Sequence, residues 1–266
     1  MEASEIKEMV RARYGGIAAQ KEANCRAPTA CCGPTPPREE KSRAMGYSTA
    51  ELAAVPEGAD LGLGCGNPQA IAQLQPGETV IDLGSGAGFD CFIAVERVGP
   101  AGHVIGVDMT HEMLARAREN AAKVGAANVE FRLGEIEHLP VADNLADAVI
   151  SNCVINLVPD KEQVYREAYR VLKPGGRLAV SDVVNMAPLP PDLAADPALL
   201  CGCVAGAAAA DKIVAWLAVA GFVDIAVTPK PESRDLVASW APGRHIENYV
   251  ASAAITAKKP AAGGAR

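Results

Sequence analysis

Short apolar runs alternate with helically spaced apolar positions along most of the chain. Val80, Ile81 and Leu83 form a buried-strand run, and Gly84, Ser85, Gly86, Ala87 and Gly88 then strip nearly every side chain from the turn that follows. Further strands are predicted at His103 to Asp108 (HVIGVD), Asn128 to Glu135 (NVEFRLGE), Asp147 to Asn152, Gly176 to Asp182 (GRLAVSD), Phe222 to Val227 and near Tyr249 to Ile255. Helices fall between them. One follows the glycine turn, with Phe89, Cys91, Phe92, Ile93 and Val95 as core. A second spans His111 to Val124, capped by Thr110 and ended by Gly125, with Met113, Leu114, Ala117 and Ala121 on one face. A third, EQVYREAYRVL, turns Val164, Ala168 and Val171 to the sheet. Asp160 and Gln163 make its capping box, and KPGG at Lys173 to Gly176 closes it. A fourth lies around Ile213 to Val219. The alternation predicts an α/β fold: a Rossmann-like sheet with helices on both faces, and a smaller C-terminal α+β segment.

The flanking regions are less regular. Glu5 to Tyr14 reads as a short helix capped by Ser4, with Ile6, Met9, Val10 and Tyr14 sharing a face and Gly15 and Gly16 as the stop. Residues 23–43 read as a loop rich in Pro, Cys and charge. Leu52 to Leu74 is an amphipathic lead-in interrupted by LGLGCGNP at Leu61 to Pro68, a tight turn that presents Cys65 on a stiff backbone. After a proline-rich connector, Cys201 and Cys203 fall in a small-residue segment, and Lys258 to Arg266 reads as a frayed tail. The expected organisation is therefore an N-terminal helical and loop segment over 1–75, a cofactor-binding domain over 76–185, a substrate-binding segment over 186–257 and a tail over 258–266.

Charge and composition narrow the partners. A net charge of -7 and a pI near 5.2 supply no basic surface for nucleic acid, so a small-molecule substrate is expected. The N-terminal stretch lacks the apolar core of a signal peptide, and no run reaches the length of a membrane span. A cytoplasmic monomer is the expectation. Eight cysteines are many for a reducing compartment, and their spacing gives no zinc pattern.

The glycine turn and Asp108, at the end of the next strand, describe a nucleoside-type cofactor site, with the carboxylate placed to hold a ribose diol. The spacing is GxGxG rather than the dinucleotide GxGxxG, and Asp82 precedes it. An acid there repels a pyrophosphate and suits the ammonium and sulfonium of S-adenosylmethionine. Ile136 and Glu137, after the third strand, are placed to pack and hydrogen-bond an adenine. Asn152 and Cys153 emerge at the ligand-binding edge of the fourth strand. The four histidines show no ligand-like clustering.

LGLGCGNP, IDLGSGAGFDCF, HVIGVDMT, GEIEHLP and SNCVINLVPDK, in that order, closely resemble the arsenite S-adenosylmethionine methyltransferases. The resemblance runs from about Tyr14 to Phe222. It implies the class I methyltransferase fold, trivalent arsenic bound by Cys65, Cys153 and Cys203, and a redox role for a cysteine of the pair Cys31 and Cys32, with Cys25 nearby. It also implies S-adenosylmethionine contacts from Asp82, Gly84, Ser85, Gly86, Gly88, Asp108, Met109, Ile136, Glu137 and Asn152. After Cys203 this chain runs VAGAAAAD, a departure from the family pattern.

Chemistry supports that set. Trivalent arsenic is thiophilic, three thiolates leave one direction for its lone pair, and the lone pair is the nucleophile. Methylation leaves arsenic pentavalent, so two electrons must return, through a disulfide of Cys31 or Cys32 with Cys65 that a thioredoxin- or glutathione-type reductant resets. Two rivals are a methyltransferase acting on carbon or oxygen of a lipophilic acceptor, which leaves the thiols unexplained, and a soft-metal sequestering protein, which leaves the glycine loop idle.

Overall fold

A computed structural model of the chain describes residues 2–19 and 38–263. Among the described residues, four helices come first: α1 (Ala3–Ala19), α2 (Arg38–Ala44), α3 (Thr49–Ala54) and α4 (Gln69–Ala72). The alternating unit follows as β1 (Thr79–Leu83), α5 (Phe89–Val98), β2 (His103–Asp108), α6 (His111–Val124), β3 (Val129–Leu133), β4 (Ala146–Asn152), α7 (Lys161–Val171) and β5 (Leu172–Asn185), with a single 3-10 turn at Ile155–Leu157. The remainder is α8 (Pro191–Ala194), α9 (Pro197–Leu200), β6 (Ala208–Ala209), α10 (Ala210–Ala220), β7 (Val223–Pro229), α11 (Arg234–Trp240) and β8 (Val250–Lys258).

The strands form one sheet in the order β3-β2-β1-β4-β5-β8-β7, with β6 paired to β5. β1 to β5 are parallel, and β8 runs antiparallel to both β5 and β7. The chain leaves β1 toward β2 and β3, then returns to add β4 on the other side. That reversal opens a crevice at the C-terminal ends of β1 and β4, where open α/β sheets bind ligands. Both faces are covered, which is why the strands read as apolar runs. Ile81, Ile105, Val149 and Val180 pack with Val164 and Ala168 of α7 and Leu217 of α10. Val80, Val104, Ile150 and Ala179 face the other way, onto Phe92 and Val98 of α5 and Leu114 and Ala117 of α6.

Several expectations change. α1 continues through Gly15 and Gly16, because α1 packs against α6 there: a Cβ on Gly15 would lie 3.1 Å from the Glu112 carboxylate. α2 occupies residues predicted as loop, and α11 was not predicted. KPGG lies within β5, which starts directly at Leu172. Thr110 occupies the cap position of α6 without a side-chain cap bond; the Asp108 carboxylate accepts the Thr110 N–H at 2.7 Å instead. Asp160 caps α7 through the Gln163 N–H, but the Gln163 amide donates to the Glu137 carbonyl, so the box is half formed. Lys258 ends β8, and Lys259 is held by the Tyr169 and Leu172 carbonyls at 2.8 and 2.7 Å, so the chain is anchored where fraying was expected. The sheet also runs across the boundary drawn at residue 186, since β8 pairs with β5 along its length. Cys25, Cys31 and Cys32 lie outside the described residues. No described helix is long and apolar enough to cross a membrane.

Candidate functional site

A cavity of about 840 Å³ opens at the C-terminal edge of β1 and β4. Carboxylates gather at one end and thiols at the other. α1 closes one side with Val10, Arg13 and Tyr14.

At the first end, the glycine turn bends through positive φ at Gly84, Gly86 and Gly88. Gly84 is sterically required, because a Cβ there would lie 2.2 Å from Val154 Cγ2. The loop amides are already committed. Gly84 and Ser85 N–H both donate to the Val107 carbonyl, at 2.8 and 3.0 Å, and Gly86 N–H donates to Asp108 Oδ2 at 2.9 Å. A phosphate therefore finds no free N–H cradle at these positions.

What the loop presents is acid. Asp82, Asp90 and Asp108 are all buried and line the cavity. Burial, reinforced by the charges of Asp90 and Asp108, pushes the Asp82 carboxyl well above the usual range, despite a hydrogen bond from the Cys91 thiol at 3.3 Å. Burial raises Asp90 to about 6, against donors from Tyr47, Asn152 and Gln69, and also raises Asp108. Ser85 Oγ is buried beside them with no hydrogen-bond partner among the described residues. Such a set of desolvated acids is best satisfied by a cationic ligand carrying its own donors, which fits an ammonium, a sulfonium and a ribose diol. Met109, Ile136 and Glu137 line the same end. The Glu137 carboxylate is paired to Lys7 of α1 at 3.0 Å.

At the other end, cysteines distant in sequence meet. Cys65 sits in the turn before α4, Cys153 directly after β4, and Cys203 in the turn after α9. The sulfurs of Cys65 and Cys153 and a carboxylate oxygen of Asp182 lie within 4.8 Å of one another. The Cys203 thiol donates to the Cys153 carbonyl at 2.8 Å. Hydrogen bonding with Cys203 and with Cys65, and then burial, hold the Cys153 thiol well above its ordinary pKa. For Cys203 the bond with Cys153 pulls the pKa down, but burial and the charges of Asp182 and Cys65 outweigh it and leave the thiol above its ordinary value. Both Cys153 and Cys203 take positive φ, 57° and 64°, a conformation a non-glycine residue adopts at a cost of about 1–3 kcal/mol where function or packing holds it. Cys201 is buried at the same wall, and the Tyr14 hydroxyl donates to its carbonyl at 3.2 Å. Cys91 lies on α5 in the core, fully buried.

Two neighbours were not foreseen. Asp182, three residues before the end of β5, accepts N–H groups from Ile155 and Val183 and the Asn156 amide, yet burial still lifts it to about 6. Lys161 opposes it from α7; burial lowers its pKa, while the charges of Asp182 and Cys203 act in the other direction. The signal for Asp182 was present in sequence: an acid closing the predicted strand GRLAVSD, although β5 in fact runs on to Asn185.

A sheet of this order with an acidic crevice at its switch point defines a methyltransferase, and a family model described as a methyltransferase domain matches residues 74–221. The arsenite methyltransferase of Halobacterium salinarum is 53% identical over 97% of this chain and 67% of its own length. The human arsenite methyltransferase is 46% identical over 48% of this chain and 36% of its own. An arsenic(III) S-adenosylmethionine methyltransferase from Chlamydomonas reinhardtii, solved by X-ray crystallography, aligns with a TM-score of 0.58 at 33% identity, over 87% of this chain and 76% of that one. The chain belongs to the arsenite methyltransferase family. It spans about two thirds of the Halobacterium relative and a little over one third of the human one.

Proposed function

We propose that this protein transfers a methyl group from S-adenosylmethionine to trivalent arsenic held by the thiolates of Cys65, Cys153 and Cys203. The observation that carries the reading is that Cys153 and Cys203 line one end of a cavity whose other end is lined by Asp82, Asp90 and Asp108, and that the Cys65 sulfur meets Cys153 behind that wall. In this reading Asp108 takes the ribose hydroxyls, Ile136 and Met109 the base, and Asp82 and Asp90 the cationic end, over a floor of Gly84, Ser85 and Gly86; Gly88 does not line the cavity and packs against Phe92 and Phe131. S-adenosylmethionine, when bound, supplies a methyl group made electrophilic by its sulfonium.

Elevated thiol pKa values are no obstacle to loading arsenite. Each As–OH exchanged for an As–S bond releases one water, made from the hydroxide and the thiol proton, so no net proton leaves the site. Three sulfurs then fix arsenic with its lone pair in the remaining direction. The lone pair carries no proton, and no general base is required. The residues contribute position and a dry site, for which effective molarity is worth about 7–11 kcal/mol in the best cases. As the As–C bond forms the sulfonium S–CH3 bond breaks with its electron pair kept on sulfur, arsenic becomes formally pentavalent, and a free thiolate attacking one ligating sulfur closes a disulfide, breaks that As–S bond and returns its electron pair to arsenic. Cys31 or Cys32 joining Cys65 fills that role, with a thioredoxin- or glutathione-type reductant restoring the thiols.

The test is incubation of the purified protein with arsenite, S-adenosylmethionine and a thiol reductant, followed by arsenic speciation by mass spectrometry. Wild type is expected to give methylated arsenic, and Cys→Ser changes at 65, 153 and 203 are expected to abolish it. Unmethylated arsenic from wild type defeats the reading.

A further inference from the structure

The amide of Asn152 is spent on the protein itself. Its Oδ1 accepts the Cys65 N–H at 3.1 Å, and its Nδ2 donates to the Gly66 carbonyl at 2.8 Å, so one carboxamide grips the peptide groups on both sides of Cys65's own carbonyl. The second Nδ2 hydrogen is directed between the Tyr47 hydroxyl, at 2.9 Å, and Asp90 Oδ2, at 3.2 Å. The fit is close. A Cβ on Gly64 would lie 2.9 Å from Asn152 Nδ2, and one on Gly66 would lie 2.1 Å from Ser181 Oγ. Ser252 completes the hold by donating to the Cys65 carbonyl at 2.6 Å.

Asn152 is also the residue before Cys153. The backbone of β4 therefore sets one sulfur while the side chain on the preceding residue sets another, 87 positions away in the chain. We propose that Asn152 is a positioning residue for the arsenic site: it fixes Cys65 against Cys153, and through Asp90 it ties that spacing to the acidic end of the cavity. This rests on the thiolate reading above. A hydrogen-bonding partner of this kind, behind the ligating group, is worth about 10–100-fold in affinity at metal sites.

The test compares two affinities in the full chain. Arsenite is titrated by the ultraviolet sulfur-to-arsenic charge-transfer band, and S-adenosylmethionine by calorimetry, for wild type, Asn152→Ala and Ser252→Ala. Asn152→Ala is expected to weaken arsenite about 10–100-fold and S-adenosylmethionine by less than about threefold, and Ser252→Ala to shift arsenite in the same direction. If Asn152→Ala does not fold, Asn152→Asp makes the same comparison, since it keeps the acceptor for Cys65 and loses the donor to Gly66. Unchanged arsenite affinity overturns the proposal, as does a loss of S-adenosylmethionine affinity as large as the loss for arsenite, which makes Asn152 a cofactor contact. A wild type that binds no arsenite defeats the underlying reading instead.

Discussion

Replacing Gly206 with alanine tests how closely the turn carrying Cys203 must sit against the 3-10 turn at Ile155–Leu157. A Cβ on Gly206 would lie 2.1 Å from the Asn156 carbonyl oxygen, 3.2 Å from its carbonyl carbon and 3.2 Å from Leu200 Cδ1. The obstruction is backbone, so no rotamer relieves it. Ordinary contact requires the turn to retreat by about 1 Å. Overpacking of this sort costs about 1–3 kcal/mol of stability. The larger effect falls on chemistry, because Cys203 lies three residues upstream and a displacement of about 1 Å at a reacting group costs about 100-fold in rate. Gly202→Ala is the control on the other side of the cysteine, where a Cβ would come no closer than 3.3 Å to the Ala198 carbonyl and 3.6 Å to that of Leu199. Urea melts, arsenite methylation rates and S-adenosylmethionine affinity are to be measured for both variants. The expected pattern is a large loss of methylation in Gly206→Ala with methyl-donor binding intact, and a small change in Gly202→Ala. A Gly206→Ala enzyme with wild-type stability and rate refutes the reasoning.

Methyl-donor affinity is expected to rise as pH increases through about 6, because Asp90 must lose its proton to meet a cation, and Asp90→Asn should flatten that dependence in calorimetric titrations. Asp182, raised from 3.8 to about 6, holds its proton more tightly folded than unfolded, so its contribution to stability falls as pH climbs from about 4 to about 6, by roughly 3 kcal/mol; in denaturant melts Asp182→Asn should remove that decline. Cys91→Ala should leave arsenite binding intact at a cost of about 1 kcal/mol, since the thiol is core on α5 and bonds Asp82 rather than the other cysteines; loss of arsenite binding would contradict its placement. Lys7→Ala leaves the buried Glu137 carboxylate without its cation and should loosen α1, which hydrogen exchange reads as lost protection over Ala3–Ala19 at a cost of about 1–2 kcal/mol.

Local pattern carried the centre of the fold. β1 and β2 are legible because both faces of the sheet are covered, so each reads as an unbroken apolar run with glycine punctuation beyond. The ends were less legible for reasons outside local pattern. Gly15 and Gly16 look like a helix stop, and their use in close approach to α6 appears only once the two helices are packed. α11 is seven residues long and mixes charge with its apolar positions, too little for periodicity to act on. Of the site, the carboxylate end was readable from Asp82, the glycine turn and Asp108. The thiol end was not readable from spacing, because Cys65, Cys153 and Cys203 approach only through β4, β5 and the turn after α9; the family resemblance supplied that set. The part played by Asn152 was hidden too, since its position at a strand end fits a cofactor contact and only the bonds to Cys65 and Gly66 give the other use.

The most direct measurement is X-ray absorption at the arsenic edge on the arsenite-loaded, reduced protein. Three sulfur neighbours in wild type, with one sulfur lost in each of Cys65→Ser, Cys153→Ser and Cys203→Ser, is the predicted result. An arsenic atom that keeps oxygen neighbours in wild type, or a sulfur count untouched by any of those three substitutions, contradicts the account.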